Sequence, residues 1–144
     1  MSWIKNGRNF VPLQADKSEF MNMIKDIVLV GIGSGLGGIC RYLISLLMSQ
    51  VRSGFPWGTF VVNVAGCLLI GLLWGVTSRA HNLSPSFSLF LMVGFCGGFT
   101  TFSTFSKEGL SLLQADNYLL FTLYVLGSVV LGLAAVGLGY IATK

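Results

Sequence analysis

Four long apolar stretches alternate with short polar breaks along most of the chain. The stretches cover about residues 24–48, 58–78, 86–113 and 118–142. Each reaches the roughly 20 residues that a helix needs to cross about 30 Å of hydrocarbon. Because an α-helix satisfies its own backbone groups in lipid, the pattern predicts an all-α integral membrane protein with four spans.

The head of the chain, residues 1–22, differs because charged side chains are scattered among its apolar residues. The first long apolar run begins only at Ile24 and is too long for the core of a signal peptide. We therefore interpret 1–22 as a polar N-terminal extension, either flexible or lying on a surface, and 23–144 as the four-span membrane domain. A start of translation at Met21 or Met23 stays open as an alternative.

The composition excludes several classes of protein. The chain of 144 residues is 53% hydrophobic and 10% charged, against about 25% charged residues in an ordinary soluble domain. So few charges cannot cover a soluble enzyme, and a net charge of +4 without a long basic run does not suit nucleic acid. No nucleotide-binding motif is present, so neither nucleic acid nor nucleotide is an expected partner. Cys40, Cys67 and Cys96 lie in apolar runs without metal-binding spacing, and we interpret them as packing residues.

Many of the 19 glycines stand four residues apart, which places small residues along one helix face. Such stripes let another helix backbone approach closely. The approaching helix belongs either to the same four-helix bundle or to a second subunit, and the pattern favours neither. The pairs are Gly31/Gly35, Gly33/Gly37, Gly71/Gly75 and Gly94/Gly98.

Basic residues are distributed unequally between the two sides of the membrane. The side that carries the amino terminus has more of them, so the positive-inside rule makes that side cytoplasmic. Three of these residues lie in the head, however, and without the head the bias is weak enough to permit insertion in both orientations. The first side carries Lys5, Arg8, Lys17, Lys25, Arg79 and Lys144, and the other carries Arg52 and, near the membrane surface, Lys107.

The third stretch is longer than one crossing requires and carries a polar run at its middle. Gly97 and Gly98 precede five hydroxyl residues among the seven from Thr100 to Ser106. Glycines permit a helix to unwind, and hydroxyls bond the backbone groups that unwinding frees. Because freed carbonyls at membrane depth are ready cation ligands, we predict a break that serves an ion pathway. The alternative is a continuous packed helix whose hydroxyls bond their own carbonyls four residues earlier.

Two further features of the second and third stretches suit a small anion. Phe102 and Phe105 share a helix face, and an aromatic ring presents a positive edge. Asn63 is the only Asn or Gln of the second stretch, with Thr59 one turn earlier on the same face. A buried amide is costly without partners, so Asn63 either donates to an anion or joins helices through a hydrogen bond.

Other polar residues in the spans have less specific signals. Tyr124 and Ser128 stand four apart in the fourth stretch, a pattern more typical of helix packing. Arg41 lies about two turns inside the end of the first stretch. It extends to the interface, pairs with Glu108, or raises the positive potential of a vestibule. No cluster of acidic residues or histidines in the spans offers a proton relay.

Three segments of the chain resemble the signature motifs of the small bacterial Fluc (CrcB) fluoride channels. They are Gly37–Tyr42 in the first span, Gly58–Gly66 in the second and Gly94–Ser106 in the third. The third motif is the most specific, and it continues into Glu108 as in the family. The resemblance covers about residues 24–142, which contain all four spans.

The resemblance implies an antiparallel, dual-topology homodimer that crosses the bacterial inner membrane and contacts lipid, with two narrow fluoride pores. It also implies a structural sodium ion at the dimer centre, bound by main-chain carbonyls of Gly97 and Thr100 at the break in the third helix. Gly132 departs from the family, whose members often have a hydroxyl there. We expect pores lined by Phe102, Phe105, Asn63, Thr59, Thr104, Tyr124 and Ser128, with Arg41 and Glu108 in vestibule or supporting roles.

The function that the resemblance implies is passive, fluoride-selective export that protects the cell from fluoride, without enzymatic activity. Fluoride is strongly hydrated, so a pore must replace its water with hydrogen-bond donors. Hydrogen fluoride enters a cell neutral and ionises inside, and the membrane potential then drives the anion out. Two alternatives are a small proton-coupled multidrug exporter, for which Glu108 is the one candidate carboxylate, and a structural subunit of a larger membrane complex.

Overall fold

A computed structural model describes residues 3–6, 9–51, 53–80 and 83–144. Four helical regions in this part of the chain are long and apolar enough to cross a membrane, which confirms the four predicted spans. The first span belongs to helix α1, Leu13–Met48, and the second is helix α2, Trp57–Ala80. The fourth is helix α6, Tyr118–Thr143.

The third span is assembled from several helical segments, and its prediction as a broken helix agrees with the structure. It begins with α3, Pro85–Ser88, and continues as a π-helical segment, Leu89–Cys96, and as α4, Gly97–Phe99. After a break it resumes as α5, Phe102–Gln114.

The break lies after the glycine pair rather than at it. Gly97 has helical backbone angles, φ −64° and ψ −38°, so it does not unwind the helix. Thr100 and Thr101 are extended instead, with ψ 161° and φ −151° respectively. The break therefore lies two to three residues beyond the glycines that were expected to unwind the helix. Gly98 instead allows close packing, since a Cβ there would clash with the backbone of Ser34.

The head of the chain is more structured than an all-α fold implies. Strands β1, Trp3–Asn6, and β2, Asn9–Pro12, pair in antiparallel register and form a short hairpin. Helix α1 then begins at Leu13, about eleven residues before the predicted start of the first span. Its 36 residues extend about 54 Å at 1.5 Å per residue, which exceeds the roughly 30 Å of a hydrocarbon core. The helix therefore passes without interruption through the predicted boundary at residues 22 and 23.

The spans pack as two pairs. Helix α2 lies mainly against α6, while α1 lies mainly against the π-helical segment and α4 of the third span. In the second pair the backbones approach closely at glycine. A Cβ atom added to Gly33 would lie 2.6 Å from the carbonyl oxygen of Phe90 and 2.9 Å from the Cα of Gly94. Only glycine allows two helix backbones to meet at this distance.

The structure separates the glycine stripes that the sequence left ambiguous. Gly33 and Gly37 meet the third span, and Gly94 and Gly98 supply the opposite face of that contact. Gly71 and Gly75 lie in the same way against α6. These stripes pack within one subunit, whereas a Cβ on Gly31 or Gly35 would meet nothing within 4 Å.

A pair of alanine substitutions tests this separation. Gly33→Ala should destabilise the protein by about 1–3 kcal/mol, because the new methyl group would overpack a backbone contact. The matched change Gly35→Ala should be neutral or slightly stabilising, since alanine is the better helix former and the space beside it is open. Thermal unfolding in detergent, followed by size exclusion, measures both. Equal losses at the two positions would contradict the assigned packing.

Candidate functional site

The break in the third span leaves backbone groups in need of partners at membrane depth. Thr100 and Thr101 lie halfway along the span Pro85–Gln114. Thr101 caps the second half, because its side-chain oxygen accepts from the backbone N–H of Thr104 at 3.3 Å. The other backbone N–H and carbonyl groups of the break cannot form hydrogen bonds with water in the hydrocarbon region. Side chains from the two neighbouring helices supply their partners.

Asn63 of α2 replaces part of the missing helical ladder. Its Nδ2 donates to the carbonyl oxygen of Thr101 at 3.1 Å, and its Oδ1 accepts from the N–H of Thr101 at 2.9 Å. The amide thus bonds the backbone of Thr101 as a neighbouring strand would. An Asn amide has two N–H hydrogens, so one remains for another acceptor. Of the two roles considered for Asn63, the structure shows the helix-joining bond, and donation to an anion stays a prediction.

Arg41 of α1 reaches the opposite side of the break. Its Nη1 donates to the carbonyl oxygen of Thr100 at 3.3 Å. The half-buried guanidinium therefore lies at the depth of the break instead of extending to the interface. No ion pair joins Arg41 to Glu108 within the described part of the chain. Arg41 consequently has a supporting role at the break, and its contribution to a vestibule stays a prediction.

The backbone oxygens at the break fit the sodium ion implied by the resemblance. In an unbroken helix the N–H of Thr101 would donate to the carbonyl of Gly97, but here it donates to Asn63. Among the described residues no other hydrogen bond to that carbonyl oxygen is present. The Thr100 oxygen accepts one bond, from Arg41, and retains a second lone pair. Sodium is a hard cation that prefers such neutral oxygens, so Gly97 and Thr100 are suitable ligands.

A groove of about 340 Å³ opens beside the break. It lies between α2, the break with the start of α5, and α6. Its polar groups are hydroxyls, the Asn63 amide and the Cys67 thiol, and no carboxylate of the described residues lines it. It is lined by Asn63, Gly66, Cys67, Ile70, Thr100, Thr101, Phe102, Phe105, Ser128 and Val129.

The two candidate phenylalanines belong to this groove. The rings of Phe102 and Phe105 lie 5.9 Å apart between centroids, tilted by 36°. Phe105 also contacts the ring of Tyr124 at 5.0 Å. Phe102 is 79% exposed although it begins the second half-helix at the middle of the membrane. A large ring this exposed beside polar groups is available to another molecule.

Glu108 accepts hydrogen bonds from two of the hydroxyls that were expected in the pore. The Thr59 hydroxyl donates to Oε1 at 3.0 Å, and the Tyr124 hydroxyl donates to Oε2 at 2.7 Å. Thr59 and Tyr124 are buried, and neither lines the groove. Because both hydroxyl hydrogens are donated to the carboxylate, these residues hold Glu108 in place. Their direct contact with fluoride stays a prediction that this arrangement does not favour.

Ser128 is the polar residue of α6 that lines the groove. Its Oγ is buried and has no hydrogen-bond partner within the described residues. A serine inside a helix usually bonds the carbonyl four residues earlier, so an unpaired hydroxyl here is unusual. Thr104, in contrast, lies in a hydroxyl cluster, since it accepts from the Thr101 hydroxyl at 3.2 Å. Ser128 is therefore the better candidate for binding a small anion.

Cys67 also lines the groove, although its place in an apolar run predicted only a packing residue. It stands four residues after Asn63, and this spacing was the available signal for a shared face. A Cβ on Gly132 would lie 3.3 Å from the Cys67 sulfur. The thiol thus occupies the space beside Gly132, where the resemblance led us to expect a hydroxyl.

Comparison with known proteins places these features in a family. Residues 28–140 match the family model described as CrcB-like protein, Camphor Resistance (CrcB). A fluoride-specific ion channel FluC of Azobacteroides pseudotrichonymphae is 49% identical over 123 residues, which are 85% of this chain and 98% of that relative. A FluC of Phocaeicola vulgatus is 48% identical over 117 residues, covering 81% of this chain and 96% of the relative. A third, of Flavobacterium psychrophilum, is 46% identical over 122 residues, with coverages of 84% and 98%.

The family model covers all of the residues that build the break and the groove. It begins after the head and ends at residue 140 near the end of α6, so it reaches all four spans and leaves out the N-terminal hairpin. The similarity extends over most of the chain, and the identity is high enough to establish a common ancestor. The chain belongs to the CrcB family, whose relatives named above are fluoride-specific ion channels.

Proposed function

We propose that this chain forms a passive, fluoride-selective channel in the bacterial inner membrane and exports cytoplasmic fluoride. The observation that carries the proposal is the groove at the break, in a chain that belongs to the CrcB family. Its polar lining is neutral, and it combines the Asn63 amide, the Ser128 hydroxyl and two phenylalanine rings. Transport through such a groove requires no catalytic residue.

Neutral donors suit the conduction of fluoride. A site must replace the water around a strongly hydrated anion and still release it to the next site. An amide, a hydroxyl and ring edges are weaker than a charged side chain, and several in sequence allow entry and exit. A proton-coupled exporter needs a carboxylate that meets its substrate. Both carboxylate oxygens of Glu108 accept hydroxyl hydrogen bonds away from the groove, so the geometry does not favour that alternative.

A second copy of the chain would complete the groove. A single subunit leaves Phe102 79% exposed, and Ser103 and Ser106 are exposed beside it near the middle of the third span. The Ser106 hydroxyl donates to the Phe102 carbonyl oxygen and the Ser103 hydroxyl lies 3.4 Å from that of Thr101, so both are bonded within the subunit, yet they still face the lipid side. In an antiparallel dimer the break of one copy would lie against the break of the other. The exposed Phe102, Ser103 and Ser106 of each copy would then be covered by the partner. Two symmetry-related pores and one shared central site follow from that arrangement.

The central site would hold a sodium ion through the Gly97 and Thr100 carbonyls of both copies. The freed Gly97 oxygen supports this assignment, as does the second lone pair of the Thr100 oxygen. A sodium ion bound there would supply positive charge between the two copies. No acidic side chain is needed, because a hard cation is satisfied by carbonyl oxygens.

Fluoride export needs no energy source beyond the membrane potential. Hydrogen fluoride crosses lipid as a neutral acid and ionises at the higher pH inside the cell. Fluoride then accumulates, and the inside-negative potential drives it outward through an open pore.

Purified protein in liposomes should therefore pass fluoride and almost no chloride, without ATP or a proton gradient. Ion-selective electrodes measure the two fluxes, and equal chloride flux would disprove fluoride selectivity.

Substitution of the groove phenylalanines tests their assignment. Phe102→Ile and Phe105→Ile should each lower fluoride flux about tenfold, which corresponds to roughly 1.4 kcal/mol on the barrier, because they remove the electropositive ring edge. Elution on size exclusion should not change. Phe87→Ile is the matched control, since its ring lies in the same span, is 49% exposed and does not line the groove. Phe99 is unsuitable as a control because it is buried against Phe95.

The ranking of these variants decides between pore and packing roles. If Phe87→Ile lowered flux as much as Phe102→Ile, the loss would reflect general damage to the span. If both groove variants kept full flux, the rings would be space-filling residues.

The proposed dual topology predicts where single cysteines are labelled. In a background with the three native cysteines replaced by alanine, Ser84→Cys and Ala115→Cys report opposite ends of the spans. Each exposed position should react with membrane-impermeant reagent from both sides in intact and inverted vesicles. Deletion of residues 1–22 provides a comparison, because it removes basic residues that bias insertion. Labelling of Ser84→Cys from the cytoplasmic side alone, in both proteins, would refute dual topology.

A further inference from the structure

Arg41 carries a positive charge at the depth of the break, and no described residue forms an ion pair with it. Its guanidinium is half-buried and donates to the Thr100 carbonyl oxygen at 3.3 Å. Within the described residues no carboxylate forms an ion pair with it, and Glu108 accepts from Thr59 and Tyr124 instead. A buried charge without an opposite charge is expensive, so the neutral carbonyl is an essential partner for it.

The same carbonyl is one of the two proposed ligands of the central sodium ion. A carbonyl oxygen has two lone pairs and can accept the guanidinium and still face a cation. The two positive groups would then repel across one oxygen. Even at an effective dielectric constant of about 20, like charges this close repel strongly enough to weaken binding by about tenfold or more.

The Arg41 bond also stabilises the break when no cation is present. The extended conformation of Thr100 turns its carbonyl away from the helical ladder. Without Arg41 that oxygen would be unsatisfied in the sodium-free protein, at a depth where water does not reach it. The guanidinium therefore has opposite effects on the two states: it favours the broken helix without sodium and opposes sodium once the site is formed.

We propose that Arg41 is a positioning residue that stabilises the Thr100 carbonyl of the sodium-free protein and thereby sets a low affinity for sodium at the central site. This inference rests on the sodium site of the proposed function. It assigns to Arg41 a thermodynamic role distinct from contact with fluoride. The role has a defined sign for sodium, because removal of the charge ends the repulsion and should tighten sodium binding. In the sodium-free protein the same change leaves the Thr100 oxygen without its donor, a loss that we expect to exceed the relief of desolvation.

The test measures the melting temperature of the full-length protein in detergent across a sodium series, with N-methylglucamine as the replacement cation. A ligand that binds only the folded state raises stability with its concentration relative to its dissociation constant. Arg41→Met should melt at a lower temperature than the unmodified protein without sodium. Its half-saturating sodium concentration should fall about tenfold or more, so the two melting curves converge at high sodium.

Two further variants separate charge from shape. Arg41→Lys keeps the charge and nearly the reach of the side chain, and it should retain a half-saturating sodium concentration close to that of the unmodified protein. Arg79→Met removes one positive charge at the exposed end of α2, whereas the break lies at the middle of its span, and should leave the sodium series unchanged. Fluoride flux is recorded separately at saturating sodium.

The possible outcomes are distinct. A loss of melting temperature in Arg41→Met that is equal at every sodium concentration indicates a merely structural role and overturns the inference. Weaker sodium binding, or failure of Arg41→Met to fold at high sodium, overturns it as well. If the unmodified protein shows no sodium dependence, the proposed sodium site also fails. Loss of fluoride selectivity, in contrast, would reject the proposed channel function whatever the sodium series shows.

Discussion

The exchange of two hydrogen bonds between the Asn63 amide and the backbone of Thr101 is the interaction on which the site depends. A helix broken at the middle of a membrane exposes N–H and carbonyl groups that lipid cannot satisfy. The amide bonds both groups of Thr101 and so permits an extended residue at this depth. By taking the Thr101 N–H it also releases the Gly97 carbonyl for a cation. One side chain of α2 thus stabilises the break and prepares its proposed ligand.

Close helix packing brings the other partners to the break. Glycines of α1 and the third span allow backbone contact, and this contact places Arg41 within reach of Thr100. On the other side, a Cβ on Gly66 of α2 would clash with the Thr100 side chain. The glycines therefore act through the space that they leave, because a single methyl group on either side would move the helices apart.

Neutrality of the groove depends on how Glu108 is bonded. Thr59 of α2 and Tyr124 of α6 donate to its two oxygens and join three elements through one carboxylate. The charge is thereby kept away from the amide, hydroxyl and rings that face the groove. A carboxylate facing the groove would repel fluoride, whereas one held by hydroxyls positions α5 and α6 around it. The residue therefore acts as a structural support for an anion pathway.

The sequence by itself determined the four spans, the broken third helix and the family, because long apolar runs and a dense motif depend only on local composition. It also identified Asn63, Phe102, Phe105 and Ser128, which the fold brings to one groove. Only the tertiary structure decided that the break lies at Thr100 and Thr101, that Thr59 and Tyr124 bond Glu108, and that Cys67 fills the space beside Gly132. These outcomes depend on which group of a neighbouring helix each side chain contacts. Spacing along one helix does not determine the distance between groups on two different helices.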